Sequence, residues 1–231
     1  MSQLLKAQGQ FVEAERLARS ALEGYSSVYG PEHESTLECA IAHAGLLKAL
    51  RKPREAERLL TSTLATARRV HGDDHRVTLL GISSLSALLQ QQGRLGEAQP
   101  LAEEHLERTE RARGAEHPEV LTSLNNLAAL YKRRGRHDEA EAHFRRCLET
   151  QRRVLSRGHP DVLATASNLG LLLMEMGRLD EAEVLLREAL AGRQAALGEG
   201  HPSTRNTAAA LEALLKQQQQ HGAGGGGKRG T

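Results

Sequence analysis

The chain has 231 residues, of which 39% are hydrophobic, 26% charged and 2% aromatic, and its formal net charge is +2. A core with so few aromatic side chains must be built mainly from Leu and Ala, which favours packed helices over a β-sandwich. The near-neutral, interspersed charge argues against nucleic acid as a partner, and no apolar run approaches the roughly twenty residues of a membrane span.

One sequence unit recurs along the chain with a period of 42 residues. Histidines mark the unit at His33, His75, His117, His159 and His201. Glu-Ala pairs with the same spacing begin at Glu13, Glu55, Glu97, Glu139 and Glu181. Because apolar residues follow helical spacing in both halves of the unit, each unit is predicted to be a pair of helices.

The predicted elements start with a partial N-terminal repeat over residues 1–29, in which 1–8 are the last turns of a first helix and 11–28 a second helix. Four complete units follow over 30–200. Their first helices are predicted at 35–49, 77–91, 119–133 and 161–175, and their second helices at 53–69, 95–111, 137–154 and 179–196. A final unpaired or capping helix occupies 201–219, and the glycine-rich residues 220–231 are expected to be disordered.

Turn chemistry supports these boundaries. Left-handed turns are predicted between paired helices at Gly93, Gly135 and Gly177, and helix starts at Pro118, Pro160 and Pro202. Each repeated histidine is predicted to hydrogen bond near a helix start, because successive copies lie one repeat apart without ligand-spaced Cys or carboxylates. The scattered histidines His43, His105, His137 and His143 are expected on helix surfaces, and Cys39 and Cys147 are expected to be buried.

A helix pair of this size cannot cover its own apolar face, so the pairs are predicted to stack. The stack requires a small side chain where the helices approach most closely. That position is occupied by Ala14, Ala56, Ala98, Ala140 and Ala182. The predicted fold class is all-α, an α-solenoid of stacked antiparallel helix pairs.

The stretch "LNNLAALYKRRGRHDEAEAHF", residues 124–144, resembles a tetratricopeptide repeat (TPR). Its signature positions hold Leu127, Ala128, Tyr131, Gly135, Ala140 and Phe144. The longer period, the His-Pro before the first helices and the "LNNLAALY" segment resemble more specifically the kinesin light chain type of TPR. The resemblance extends to about residue 216 and implies a right-handed TPR superhelix.

This resemblance also implies a site. In the family, the first helices line a concave groove that receives an extended peptide, and the second asparagine of the "NN" pair is a contact. The matching positions hold Ala42, Ser84, Asn126, Asn168 and Ala210, and the family's second-helix arginine is matched by Arg193. The candidate groove residues are Ser84, Thr122, Asn125, Asn126, Lys132, Arg133, Asn168 and Arg193. An alternative for the asparagines is that their amides bond within the helix array.

The sequence therefore predicts a cytoplasmic scaffold or adaptor that binds a protein or peptide partner, without nucleic acid or membrane as partners. We predict no cofactor, no metal site and no enzymatic activity, because no nucleophile elbow or phosphate-binding glycine loop is present. The alternative hypothesis is a structural or regulatory fragment of a larger multidomain protein. Such a fragment would pack intramolecularly or self-associate through exposed terminal helices.

Overall fold

The computed structural model describes the backbone of residues 2–225 and the side chains of residues 10 and 13–220. Helices are the regular elements of this part of the chain. In chain order they are α1 (Ser2–Tyr29), α2 (Glu34–Ala49), α3 (Pro53–His71), α4 (Arg76–Gln91), α5 (Leu95–Arg113), α6 (Pro118–Arg133), α7 (His137–Val154), α8 (Pro160–Glu175), α9 (Leu179–Leu197) and α10 (Pro202–Gly225).

The chain divides into two compact units after Gly114. In the first unit, α1 packs against α2, α2 against α3, α3 against α4 and α4 against α5, and α2 also contacts α4. In the second unit, α6 to α10 pack in the same way, with additional contacts of α8 to both α6 and α10. Each unit is thus a stack of antiparallel helix pairs, and the predicted fold class is confirmed.

The repeated histidines cap the first helices. The ring Nδ1 of His117 accepts a hydrogen bond from the Glu119 amide at 3.2 Å. The same bond joins His33 to Ser35 at 3.2 Å, His75 to Val77 at 3.3 Å, His159 to Asp161 at 3.2 Å and His201 to Ser203 at 3.2 Å. Each ring occupies one of the amide donors that a helix start leaves unpaired. The predicted role of these histidines is confirmed.

We expect His117→Ala to lower the free energy of unfolding by about 1 kcal/mol, because the start of α6 loses its capping acceptor. His117→Asp restores a side-chain oxygen at the cap and should recover most of the loss. Urea unfolding followed by circular dichroism measures both variants. Equal destabilisation by Ala and Asp would show that the ring is held there for another reason.

The turn inside each helix pair requires a left-handed residue. Gly93, Gly135 and Gly177 have φ of 76°, 73° and 77°, as predicted. In the first complete unit the equivalent residue is Arg51, with φ of 58°. An L-residue in this region is strained by roughly 1–2 kcal/mol, because its Cβ approaches the following carbonyl oxygen.

Arg51→Gly should therefore stabilise the protein by roughly 0.5–1 kcal/mol, after allowance for the greater freedom of glycine in the unfolded chain. A thermal melt detects the gain as a higher Tm. Arg54→Gly, three residues later and inside α3, is the matched control and should lower the Tm. A lower Tm for Arg51→Gly would contradict the assigned strain.

Both terminal helices are longer than predicted. No turn forms at Gly9, because α1 is one helix from Ser2 to Tyr29. Two turns of an isolated first helix have too few tertiary contacts to offset the cost of ordering them, whereas a continued helix satisfies its own backbone groups. At the other end α10 runs to Gly225, past the predicted end at 219, and residues 226–231 lie outside the described part of the chain.

The core consists mainly of Leu and Ala, and four of the five alanines predicted where the helices approach most closely are buried. Ala56, Ala98, Ala140 and Ala182 have 0% of their surface exposed. Cys147 is also fully buried and its Sγ donates a hydrogen bond to the Leu121 carbonyl at 3.2 Å. The prediction that both cysteines are buried holds for Cys147 only, because Cys39 is half-buried.

Two histidines predicted on the surface are instead buried, His43 with 6% and His105 with 8% of its surface exposed. Within the described part of the chain, neither ring nitrogen of His43 has a hydrogen-bond partner. The equivalent position in the other units holds Leu85, Leu127, Leu169 and Leu211. The prediction was wrong because His43 occupies a core position of the repeat, which brings its ring under the neighbouring helices.

Ion pairs that the sequence prediction missed join successive second helices. Arg94 contacts Glu57 of α3 at 2.6 Å and Glu97 of its own helix at 2.7 Å. Arg178 contacts Glu141 and Glu181 in the same way, both at 2.6 Å. The hydrogen bond from Arg94 lowers the pKa of the Glu57 carboxyl, so the pair is charged at neutral pH.

Candidate partner-binding site

The second unit brings six of the eight predicted groove residues onto two adjacent first helices, α6 and α8. On α6 they are Thr122, Asn125, Asn126, Lys132 and Arg133, and on α8 the residue is Asn168. We call the surface formed by these six residues the α6–α8 groove. Because side chains three or four positions apart share a helix face, most of the polar residues of α6 fall on neighbouring parts of its surface.

The asparagines of the groove are partly used within the protein. Nδ2 of Asn168 donates a hydrogen bond to Oδ1 of Asn125 at 3.3 Å, across the α6–α8 contact. Both side chains are half-buried, whereas Asn126 is exposed. An amide side chain offers two donors and two acceptor lone pairs, so this bond leaves each amide with capacity for a partner. The bond fixes the orientation of both amides.

An ion pair joins α6 and α8 at the end of the groove where both helices terminate. Lys132 of α6 contacts Glu175 of α8 at 3.0 Å, which joins the last turns of the two helices. Arg133 follows it in the last turn of α6 and is exposed. Basic residues at a helix C-terminus also interact favourably with the helix dipole.

A pocket of about 270 Å³ opens at the other end of the groove, between the start of α6, the end of α7 and the start of α8. Thr122 and Asn125 line it from α6, and Thr165 lines it from α8. Leu121 and Val154 are among the residues that add apolar surface. The pocket therefore combines an apolar wall with hydroxyl and amide groups, which is the usual composition of a recognition pocket.

Gln151 of α7 is the member of this pocket that sequence reasoning missed. Its side chain is 4% exposed, and its Oε1 has no hydrogen-bond partner among the described residues. A buried carbonyl oxygen without a partner costs roughly 1–3 kcal/mol. The signal in the sequence was an amide at a repeat position that Ala67 and Thr109 fill with small, fully buried side chains.

The end of α7 also differs from the other second helices. The other four end at glycines with positive φ, which are Gly30, Gly72, Gly114 and Gly198. The equivalent residue after α7 is Ser156, and Leu155 adopts an extended conformation with φ of −122° and ψ of 161°. Leu155 lines the pocket. The altered helix end thus contributes directly to the shape of the pocket.

The remaining two predicted residues lie elsewhere. Ser84 is half-buried on α4 in the first unit. Arg193 is on α9, where its guanidinium donates hydrogen bonds to the Ser203 carbonyl at 3.1 Å and to the Thr207 hydroxyl. Burial lowers the pKa of Arg193. These contacts tie α9 to the start of α10.

Two kinds of feature are absent from the described residues. No three or more His, Cys, Asp or Glu side chains lie together in a way that would hold a metal ion. Among the helices within residues 2–225, none has the length and apolar character needed to cross a membrane.

Comparisons with known proteins identify the repeat. Models of the tetratricopeptide repeat match residues 1–69 and 78–153, and a further one matches 162–203. A search of the curated proteins found no match. A crystal structure from Podosopora anserina, described as kinesin light chain with nearly identical TPR-like repeats, has a TM-score of 0.72 at 26% identity, over 81% of this chain and 89% of that one. BtubC (BKLC) from P. vanneervenii has a TM-score of 0.71 at 24% identity, over 96% and 93% of the two chains. The chain therefore belongs to the tetratricopeptide repeat family, and its structural neighbours are TPR proteins of the kinesin light chain type.

Proposed function

We propose that this TPR protein is an interaction scaffold that binds an extended segment of a partner protein along the α6–α8 groove. TPR domains in general bind protein partners, and the family assignment supports that part of the proposal. The finer part rests on the groove itself, where exposed and half-buried amides lie beside a pocket. The absence of enzymatic activity and the cytoplasmic location stay predictions from the sequence.

The observation that carries the proposal is Gln151, which lines the pocket and whose buried Oε1 has no hydrogen-bond partner among the described residues. A buried acceptor gains most from a ligand that brings an N–H or O–H group, because the cost of desolvating the acceptor has already been incurred in the free protein. The pocket volume of about 270 Å³ suits one large side chain. We therefore infer that the partner inserts a side chain with an apolar body and a hydrogen-bond donor at its end.

The groove beside the pocket suits an extended backbone. Peptide groups present donors and acceptors on both sides, and the amides of Asn125, Asn126 and Asn168 provide both kinds of group along the two helices. Because the Asn125–Asn168 bond already fixes two of these side chains, less side-chain entropy is lost on binding.

The proposal is tested with a peptide that is selected from a displayed random library for binding to the full chain. We expect the peptide to bind saturably in isothermal titration, and Thr122→Trp to weaken binding at least tenfold, because the indole fills the pocket. Thr122 is exposed, so this variant should keep the wild-type Tm. Gln151→Leu, which keeps the size but removes the acceptor, should weaken binding by roughly fivefold to tenfold.

Leu80→Trp is the matched control. Leu80 occupies the position of Thr122 in the preceding repeat and is 39% exposed on α4. The Leu80→Trp substitution should leave peptide binding unchanged. Peptide binding that is unaffected by Thr122→Trp would overturn the α6–α8 groove as the site, and failure to select any peptide would overturn the proposal of an extended ligand.

A further inference from the structure

The N-terminal helix α1 exposes a continuous apolar face. Leu17, Tyr25 and Val28 are 59%, 41% and 74% exposed. With a rotation of about 100° per residue, they share one side of the helix with four small residues. We call this face the α1 seam, and its members are Ala14, Leu17, Ala18, Ala21, Gly24, Tyr25 and Val28. No member is charged, so the seam differs from an ordinary solvated helix face.

The α1 seam corresponds to a face that the later second helices bury. In the first unit α3 packs between α2 and α4, whereas α1 packs against α2. Ala14 is partly exposed, although its equivalents in the four later second helices have 0% exposure. Tyr25 is exposed where Ala67 and Thr109 are fully buried. The α1 seam is therefore equivalent to the face that later second helices pack against a neighbouring helix, and it has the small and apolar side chains that such packing needs.

The last helix, α10, has charged residues on an exposed face, whereas the α1 seam has none. In α10 the exposed residues Arg205 and Glu212 occupy positions at which α6 has Leu121 and Ala128, both buried. Charged residues on an exposed helix face are solvated by water and do not favour packing against another helix. Burying these charges would be costly, so α10 of another copy is a poor occupant for the α1 seam.

The sequence of α1 has the pattern of a helix that pairs with another helix. Apolar residues alternate at spacings of three and four over Leu4, Ala7, Phe11, Ala14, Ala18, Ala21, Tyr25 and Val28. Such a seam, sustained over more than three heptads, is typical of coiled-coil pairing. The helix has 28 residues, about 42 Å, against 16 residues, about 24 Å, for α2. It is therefore longer than α2, against which it packs.

We propose that a second copy of this chain covers the α1 seam, with the two α1 helices antiparallel about a twofold axis. In the register that sets Ala18 opposite the partner's Ala21, each Tyr25 lies over the partner's Ala14, so that a large side chain meets a small one. A twofold interface uses the same patch on both copies, and this patch is uncharged and self-complementary.

The length of helix in contact determines the expected stability of the dimer. In this register residues 10–29 of the two helices overlap, about 30 Å, and they bury roughly 400–600 Å² on each copy, which is below the standard interface and typical of a weak one. The dimer should therefore dissociate at micromolar concentrations. Because the seam lies in the first unit, dimerisation involves none of the six residues of the α6–α8 groove.

Sedimentation equilibrium of the full chain between about 1 and 300 μM tests this proposal. We expect a monomer–dimer equilibrium that Ala21→Glu and Tyr25→Glu each weaken at least tenfold, since both place a charge in the apolar seam. Ser20→Glu and Ser27→Glu, on an exposed flank of α1 about 100–120° from the centre of the seam, are the matched controls and should dimerise as the wild type does. Circular dichroism verifies that all four variants remain helical.

Each other result counts against the α1 dimer. A wild-type protein that is monomeric at about 300 μM would overturn it, as would a dimer that survives both Ala21→Glu and Tyr25→Glu. Species that grow beyond the dimer with concentration would indicate head-to-tail addition through α10 instead. Equal weakening by the Ser20→Glu control would place the contact on another face.

Discussion

Replacing His43 by leucine should raise the free energy of unfolding by about 2 kcal/mol at neutral pH. His43 lies in the core of the first unit, and neither ring nitrogen has a partner in the described part of the chain. The ring therefore loses hydrogen bonds to water on folding and regains none. Leucine has a similar volume and is the residue at this position in the four other units, so the pocket for its side chain is part of the repeat.

The stability that His43→Leu gains over the wild type should be larger at acidic pH. Burial lowers the pKa of His43 below its ordinary 6.5, while nearby charges, Glu15 and Arg19 on α1 and Lys52 and Glu55 at the start of α3, act in opposite directions. The unfolded chain then binds a proton more readily than the folded one, so wild-type stability falls as the pH drops below about 6.5. This contribution to acid sensitivity is absent from His43→Leu, and denaturation at pH 7 and pH 5 measures the difference.

The reverse substitution is the control. Leu127→His places the same buried ring at the equivalent position of α6, and should cost roughly 3 kcal/mol and make the second unit more sensitive to acid. If His43→Leu lowered stability, or if its advantage were the same at both pH values, the His43 ring would have to have a hydrogen-bond partner outside the described part of the chain.

The second large effect is expected at the small-residue position. Ala140→Leu should lower the free energy of unfolding by about 3 kcal/mol, because Ala140 is fully buried where α7 meets its neighbours and added methyl groups force the helices apart. Ala142→Leu, two residues later on the exposed side of α7, should change stability by less than about 0.5 kcal/mol. Urea denaturation compares the two. Tolerance of Leu at both positions would show that the close approach is unnecessary.

The helices could be predicted because the same turn chemistry recurs with one period. The pattern predicts a first helix over 119–133 and α6 spans Pro118–Arg133, and it predicts 137–154, which is also the span of α7. His117 and Gly135 each set a boundary by local chemistry, a side-chain cap and a left-handed turn. Such features need no knowledge of distant contacts, which explains why they were correct.

Side-chain partners depend on how neighbouring helices meet, and these were harder to predict. The burial of His43 becomes evident only when its position is compared with Leu127 across units. The ion pairs had a similar signal, since Arg94 and Arg178 each follow a glutamate by 37 residues. The Asn125–Asn168 bond has no such signal, because it depends on the rotamers of two side chains on different helices.

The most direct test of partner binding at the α6–α8 groove is a map of the backbone amide resonances of the full chain, recorded while a library-selected peptide is added. We expect the largest shifts at Thr122, Asn125 and Thr165 on α6 and α8, and at Gln151 beneath them, with little change in α1 to α4. Shifts concentrated in the first unit, or on the exposed sides of α7 and α9, would contradict this account.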